Sequence, residues 1–184
     1  MKIFFRLVIF MCILSTSLIS CGDRATIKRT MSEFIETEII IPGDLDCIYN
    51  RQLSKINKDT LKPLQFVVYY DSLECSACRI SHISDLYPLY DMADTSSFSV
   101  IMVFSPKLSE VYDVQNQLKI VNHPIPIYID INGTFSQLNK SIPSDHRFHY
   151  FLLNENNRPE FVGNPLSSTQ LLKLFSERIT RITN

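Results

Sequence analysis

The strongest constraint on this chain is a switch of pattern near residue 75. Gln65-Phe66-Val67-Val68-Tyr69-Tyr70 is an apolar run of strand length, and Cys75-Ser76-Ala77-Cys78 follows it closely. From there to Tyr90, the residues Ile80, Ile83, Leu86, Tyr87 and Tyr90 recur at helical spacings of three and four. A continuous apolar run is the mark of a strand covered on both faces, as in a parallel sheet. The order therefore sets two thiols at the start of a helix, just beyond the end of a buried strand. Helix N-termini carry unpaired N–H groups and a partial positive charge, which stabilise a thiolate. Two cysteines three apart can also close a disulfide within one turn. The pair reads as a redox switch on a strand–helix unit.

The remaining pattern extends this unit. Strands are expected at Leu64–Tyr70, Phe98–Phe104, Ile125–Ile131 and Phe148–Asn154, with a fifth starting at Glu160-Phe161-Val162-Gly163. Asp130-Ile131-Asn132-Gly133 reads as the exit turn of the third, and Glu155 to Pro159 as a hairpin turn. A helix is expected from Cys75 to Tyr90, kinked or ended by Pro88. Another runs from a Ser109 cap to about Ile120, with Val111, Val114 and Leu118 inward. The last is capped by Ser167 or Ser168 and carries the stripe Leu171, Leu172, Leu174, Phe175 and Ile179. Ala25 to Ser32 reads as a polar tether. Met31 to Ile41 begins helically and ends extended before Pro42-Gly43, and Leu45 to Lys58 is ambiguous. The order β–α–β–α–β–β–β–α implies an α/β fold, a central mixed sheet of about five strands flanked by helices, with an antiparallel hairpin at one edge. In such sheets reactive groups gather beyond the carboxyl ends of strands, where the two cysteines lie.

The N-terminus has the form of a bacterial lipoprotein signal. Lys2 and Arg6 are followed by an apolar run, Leu7 to Leu14, and then by Leu18-Ile19-Ser20-Cys21. Ser15, Thr16 and Ser17 break the run short of the roughly 20 residues a membrane span needs. The expected division is a signal peptide at 1–20, a tether at 21–32 and one domain at 33–184, with Cys21 as the lipidation site. Cleavage removes Cys12, so Cys47, Cys75 and Cys78 remain in a compartment where disulfides persist. The odd number leaves either a 75/78 pair with one free thiol or a pairing that involves Cys47, and the CxxC spacing favours the first. A net charge of −1 without a basic cluster argues against a nucleic-acid surface.

Four pieces of the chain resemble the thioredoxin-like superfamily, in the branch shared by TlpA- and ResA-like thiol–disulfide proteins and peroxiredoxins. They are the strand Phe66–Tyr70 entering the CxxC helix, the strand ending Val103-Phe104-Ser105, the segment Pro126 to Gly133, and the hairpin from Phe151 to Gly163. The resemblance implies a thioredoxin-like fold and a membrane-anchored thiol–disulfide oxidoreductase of the cell envelope. On that resemblance it would act on exported client proteins without a cofactor, with a membrane electron donor to re-reduce it in the manner of its relatives. Cys75, exposed at the helix cap, would be the attacking thiolate, and Cys78, one turn in and more buried, would resolve the mixed disulfide. The family's cis-proline, which helps to hold substrate backbone, is replaced at the matching position by Phe148. With Arg147 beside it, this is the expected substrate-binding place; Pro143 lies too far upstream. The peptide before Phe148 is expected to be trans, because a non-proline cis bond costs roughly 3–4 kcal/mol. Many members also have an aromatic residue before the first cysteine, where this chain has Glu74. A carboxylate there raises the thiol pKa unless Arg79 folds back to offset it.

Other readings compete. The dithiol can be a structural disulfide on a non-catalytic thioredoxin-fold lipoprotein that binds a protein or ligand. His82, four residues after Cys78, suggests copper or zinc handling, although His123, His146 and His149 are scattered. A peroxidase pocket needs Thr and Pro before the cysteine, and Asp71-Ser72-Leu73-Glu74 offers only Ser72.

Overall fold

Two seven-residue strands, β3 (Leu64–Tyr70) and β4 (Phe98–Phe104), lie side by side and parallel, from Leu64 opposite Phe98 to Tyr70 opposite Phe104. The computed structural model describes residues 24–183, so the expected signal peptide and Cys21 lie outside the described residues. The other strands are β1 (Asp46–Tyr49), β2 (Gln52–Lys55), β5 (Ile127–Ile129), β6 (Tyr150–Leu153) and β7 (Pro159–Val162). The helices are α1 (24–34), α2 (Ser76–Ser81), α3 (Tyr87–Thr95), α4 (Val111–Val121), α5 (Thr134–Leu138) and α6 (Thr169–Thr183). The strands form one mixed sheet in the order β2-β1-β5-β4-β3-β6-β7. β3, β4 and β5 are mutually parallel, and β6, β7, β1 and β2 add antiparallel pairs on either side.

The continuous apolar reading of β3 and β4 follows from two cores. Successive side chains of a strand point to opposite faces. Phe66, Val68 and Tyr70, with Val100, Met102 and Phe104, face one core together with α3, α4 and α6. Val67, Tyr69, Ile101 and Val103 face the other, covered by Phe34, Ile39, Ile41, Leu45, Phe135 and Phe148. Phe175 of α6 anchors the first core, with edge-on contacts to Phe66, Phe98 and Phe161 at 5.1, 5.4 and 5.3 Å.

Several expectations need correction. Residues 24–34 are one helix, so the helical start expected at Met31 reaches back through most of the expected tether: Ile27 and Met31 pack against the second core and Phe34 is 1% exposed within it. The sheet has seven strands because the ambiguous stretch folds into the β1–β2 hairpin, turned by Asn50 and Arg51 at φ 50° and 64°. Positive φ at both central residues gives the twist that a two-residue hairpin turn requires.

The expected single helix from Cys75 to Tyr90 is three pieces. α2 stops at Ser81, a 3-10 turn spans Ile83–Leu86, and α3 begins at Tyr87. Proline has no N–H and clashes with the carbonyl four residues back, so Pro88 fits only a first turn. It starts a helix here rather than ending one. Likewise Ser109 sits within a 3-10 turn, Leu108–Glu110, and does not cap α4. Ser168 does cap α6, its Oγ accepting from the Leu171 N–H at 3.1 Å.

The third strand is shorter than expected because Asp130 turns out of it. The Asp130 carboxylate accepts from Ser105 Oγ at 2.9 Å and from the Phe135 N–H at 3.1 Å, tying β4's exit to the start of α5. The fourth strand starts at Tyr150, since His146–Phe148 form a 3-10 turn capped by Asp145.

Replacing Phe175 with Ala removes the ring that three others converge on. A loss of about 3–5 kcal/mol in unfolding free energy is expected, measured by urea denaturation. A loss below about 1 kcal/mol would show that α6 does not close this face.

Candidate functional site

The site forms where β3 runs out of sheet. Beyond Tyr70 the chain turns through Asp71, whose carboxylate accepts from the Leu73 N–H at 2.9 Å, and reaches Cys75 as the N-cap of α2. Cys75 and Cys78 form a disulfide, with Cα atoms 5.3 Å apart. Cys75 Sγ also accepts from the Cys78 N–H at 3.3 Å, so the sulfur takes the place of the oxygen in an ordinary N-cap. Cys47 is left as a free, buried thiol, whose ionisation burial makes harder against hydrogen bonds from Ser54 and Ile127.

Both residues of the pair are exposed. Cys78 was expected to be the more buried, and helical geometry explains the difference. α2 packs through Ser76 and Ile80, which are 6% and 3% exposed. Cys78 lies two residues from each, about 200° around a helix with 3.6 residues per turn, and so faces outward.

Glu74 is the unusual neighbour, and its charge is compensated. Arg79 folds back: its Nε donates to Glu74 Oε2 at 2.6 Å, a second guanidinium nitrogen pairs with the same oxygen, and the guanidinium lies over the Tyr70 ring at 5.3 Å. On the other side, His149 Nδ1 lies 3.4 Å from Glu74 Oε1. His149 Nε2 is 3.0 Å from the Pro143 carbonyl oxygen, so the ring is held at both nitrogens. Burial works to raise the Glu74 carboxyl, but hydrogen bonds and charge from His149 and Arg79 outweigh it and hold it below its ordinary value. The hydroxyls of Tyr70 and Tyr150, 3.2 Å apart, extend the network, and burial with the neighbouring tyrosine pushes the Tyr70 hydroxyl far up.

His149 is the residue that sequence reasoning undervalued. It was one of several scattered histidines, but antiparallel pairing of β6 with β3 carries it to the end of β3. The His149 carbonyl accepts from the Tyr69 N–H at 2.9 Å, which sets the ring beside Glu74. Its position just before the hairpin strand was the available signal.

The other expected site residues fall differently. Phe148, foreseen facing the dithiol, is 4% exposed and its ring meets Phe34 edge-on at 6.4 Å, so the ring belongs to the second core. The described residues contain no cis peptide bond, and the one before Phe148 is trans. Arg147 pairs with Asp145, and hydrogen bonds from Arg147 hold that carboxyl at about 2. His82 sits 3.1 Å from Asp85 on the surface, and among the described residues no group of three or more His, Cys, Asp or Glu side chains is placed to hold a metal ion. A cavity of about 470 Å³ opens beside Cys75, between residues 73–77 and α4.

No protein-family model matches the chain, and no curated protein matches it. Among solved structures it is similar to StoA from Bacillus subtilis, at 18% identity over 73% of this chain and 99% of that one, with a TM-score of 0.45. It is also similar to the C-terminal domain of a putative thiol-disulfide oxidoreductase from Bacteroides thetaiotaomicron, at 14% identity over 78% and 97%, with a TM-score of 0.45. Mycobacterium tuberculosis AhpC stands at 16% identity over 76% and 98%, with a TM-score of 0.44. The fold is thioredoxin-like on its own topology: a parallel β3–helix–β4 unit, then the β6–β7 hairpin and a terminal helix on the same sheet.

The Glu74 pairing carries a definite pH dependence. A carboxyl lowered in the folded state stabilises fully above its unfolded value of about 4.3, and that contribution disappears as pH falls through the folded value. At about pH 7, Glu74→Gln is expected to be less stable than wild type by about 1–3 kcal/mol. The gap should shrink progressively as pH falls below about 4.3, read from urea midpoints across the series. A gap that stays constant would show that the carboxylate charge is not what stabilises this corner.

Proposed function

We propose that the chain exchanges disulfides with client polypeptides through Cys75 and Cys78. The observation that carries this reading is an exposed disulfide at a helix N-cap, beside a carboxylate already countered by Arg79 and His149. Starting from the oxidised form, a client thiolate attacks Cys75 Sγ, forms a mixed disulfide and displaces Cys78 as a thiolate, which takes up a proton. A second client thiolate then attacks the client sulfur of that bond. The client leaves as a disulfide, and Cys75 departs as a thiolate and is protonated in turn. Two electrons pass from client to protein. The reverse sequence, with Cys75 attacking and Cys78 resolving, reduces a client disulfide. The N–H of Cys78 and the α2 terminus favour negative charge on Cys75 in either direction. Client contact, first expected at Phe148 and Arg147, falls to the open wall beside Cys75, because the Phe148 ring is buried.

The proposed setting is the cell envelope, with the signal peptide at 1–20 removed and lipid on Cys21. With α1 starting at residue 24 and packing on the second core from Ile27 onward, only a short stretch would join the lipid to the domain. Such a tether would keep the dithiol in the compartment where exported clients and a membrane electron donor would meet it.

The test uses the chain lacking residues 1–20, oxidised, with a dithiol peptide, followed by mass spectrometry. Wild type is expected to oxidise the peptide stoichiometrically, and Cys75→Ser to lose this. Reduced Cys78→Ser, given the oxidised peptide, is expected to accumulate a mixed disulfide at Cys75. Exchange by Cys75→Ser at the wild-type rate would overturn the proposal.

A further inference from the structure

Resting on the exchange reading above, we infer that the groove beside Cys75 selects client segments with a basic residue next to the reacting cysteine, and that Glu110 and Asp113 of the α4 wall set this preference. The groove is about 470 Å³, within the range of small ligand sites. One wall is the turn from Leu73 to Ala77, which contains Cys75; the facing wall is the start of α4 with Lys107 before it. A client thiol that reaches Cys75 from this side therefore lays its flanking residues between the two walls.

The walls differ in chemistry. Leu73, 81% exposed, together with Ala77 and Val114, offers apolar contact. Four charged groups line the space: Glu74, Lys107, Glu110 and Asp113. Glu74 is turned to Arg79 and His149. Lys107 and Glu110 form a loose pair at 3.9 Å, with both side chains exposed. Asp113 is exposed, and no ion pair or hydrogen bond of its side chain occurs among the described residues. Two carboxylates against one ammonium leave the α4 wall negative, and the side chain that complements such a wall beside an apolar patch is an arginine or lysine. Acidic residues in a first helical turn also complement the helix dipole. That role affects stability but cannot discriminate between clients, which separates the two roles in an experiment.

The experiment compares two dithiol peptides, identical except for Arg or Glu next to the attacking cysteine, as single-turnover reductants of the oxidised protein. Each rate is divided by the same peptide's rate with a small uncharged disulfide, which removes the effect of charge on thiol reactivity. Wild type is expected to favour the Arg peptide about three- to tenfold at low salt, as a pair of exposed charge contacts supplies. The ratio should fall toward one near 1 M salt, where the screening length is about 3 Å. Glu110→Gln/Asp113→Asn should bring the low-salt ratio near one, and Glu110→Lys/Asp113→Lys should reverse it. Equal normalised rates for wild type, or a preference that survives both salt and charge reversal, would overturn the inference while leaving exchange intact. If neither peptide is oxidised at all, the exchange reading falls and this inference falls with it.

Discussion

β3 has no face toward water, and the rest of the molecule is arranged by that fact. Phe66, Val67 and Val68 are all 0% exposed, so both sides of the strand must be roofed. Both of its edges are also taken, by β4 in parallel and β6 antiparallel. A strand held in this way is a rigid rod, and the first groups beyond its end are placed with little freedom. The chain emerges at Asp71, turns, and caps a helix with a sulfur. What makes the dithiol accessible is therefore not a mobile loop but the abrupt end of a fully enclosed strand.

The same enclosure governs the electrostatics. A carboxylate next to a sulfur that must carry negative charge is unfavourable unless countered. Two elements counter it. Arg79 returns one turn along the same helix, and His149 arrives from the strand paired against β3. The second depends on register: moving β6 by one residue would exchange its faces and send the His149 ring away from Glu74. The tyrosines at the ends of β3 and β6 join this corner to the first core: Tyr70 is part of that core, its ring lies against the Arg79 guanidinium, and its hydroxyl meets that of Tyr150.

Elements whose pattern reports burial directly were legible in the sequence. β3 and β4 read as apolar runs of strand length and lie at the expected bounds, and the CxxC pair lies at the cap of a helix that follows a strand. What could not be read depended on partners. β2 has four exposed residues, so nothing in Gln52-Leu53-Ser54-Lys55 marks a strand until β1 is beside it. α1 buries one residue fully, Phe34, with Ile27 and Met31 half-covered, too sparse a stripe to stand out among polar neighbours. Pro88 signals a kink or an end on pattern alone yet begins α3, because a proline excludes only the interior of a helix and leaves its first turn open. Phe148 was placed by counting from a family pattern, which fixes a position along the chain. Whether its ring turned toward the dithiol or the core was decided by Phe34, far away in sequence.

The account stands on the claim that this disulfide is a working couple rather than a fastening. Its exposure at a helix cap, with the adjacent carboxylate countered, favours a stabilised thiolate and hence a readily reduced bond. The direct measurement is the midpoint potential of the Cys75–Cys78 pair, titrated against a glutathione or dithiothreitol buffer and read by alkylation and mass. A value above about −300 mV is predicted, in the range of exchangeable pairs. A value below that, where structural disulfides resist the thiol pool, would contradict the claim.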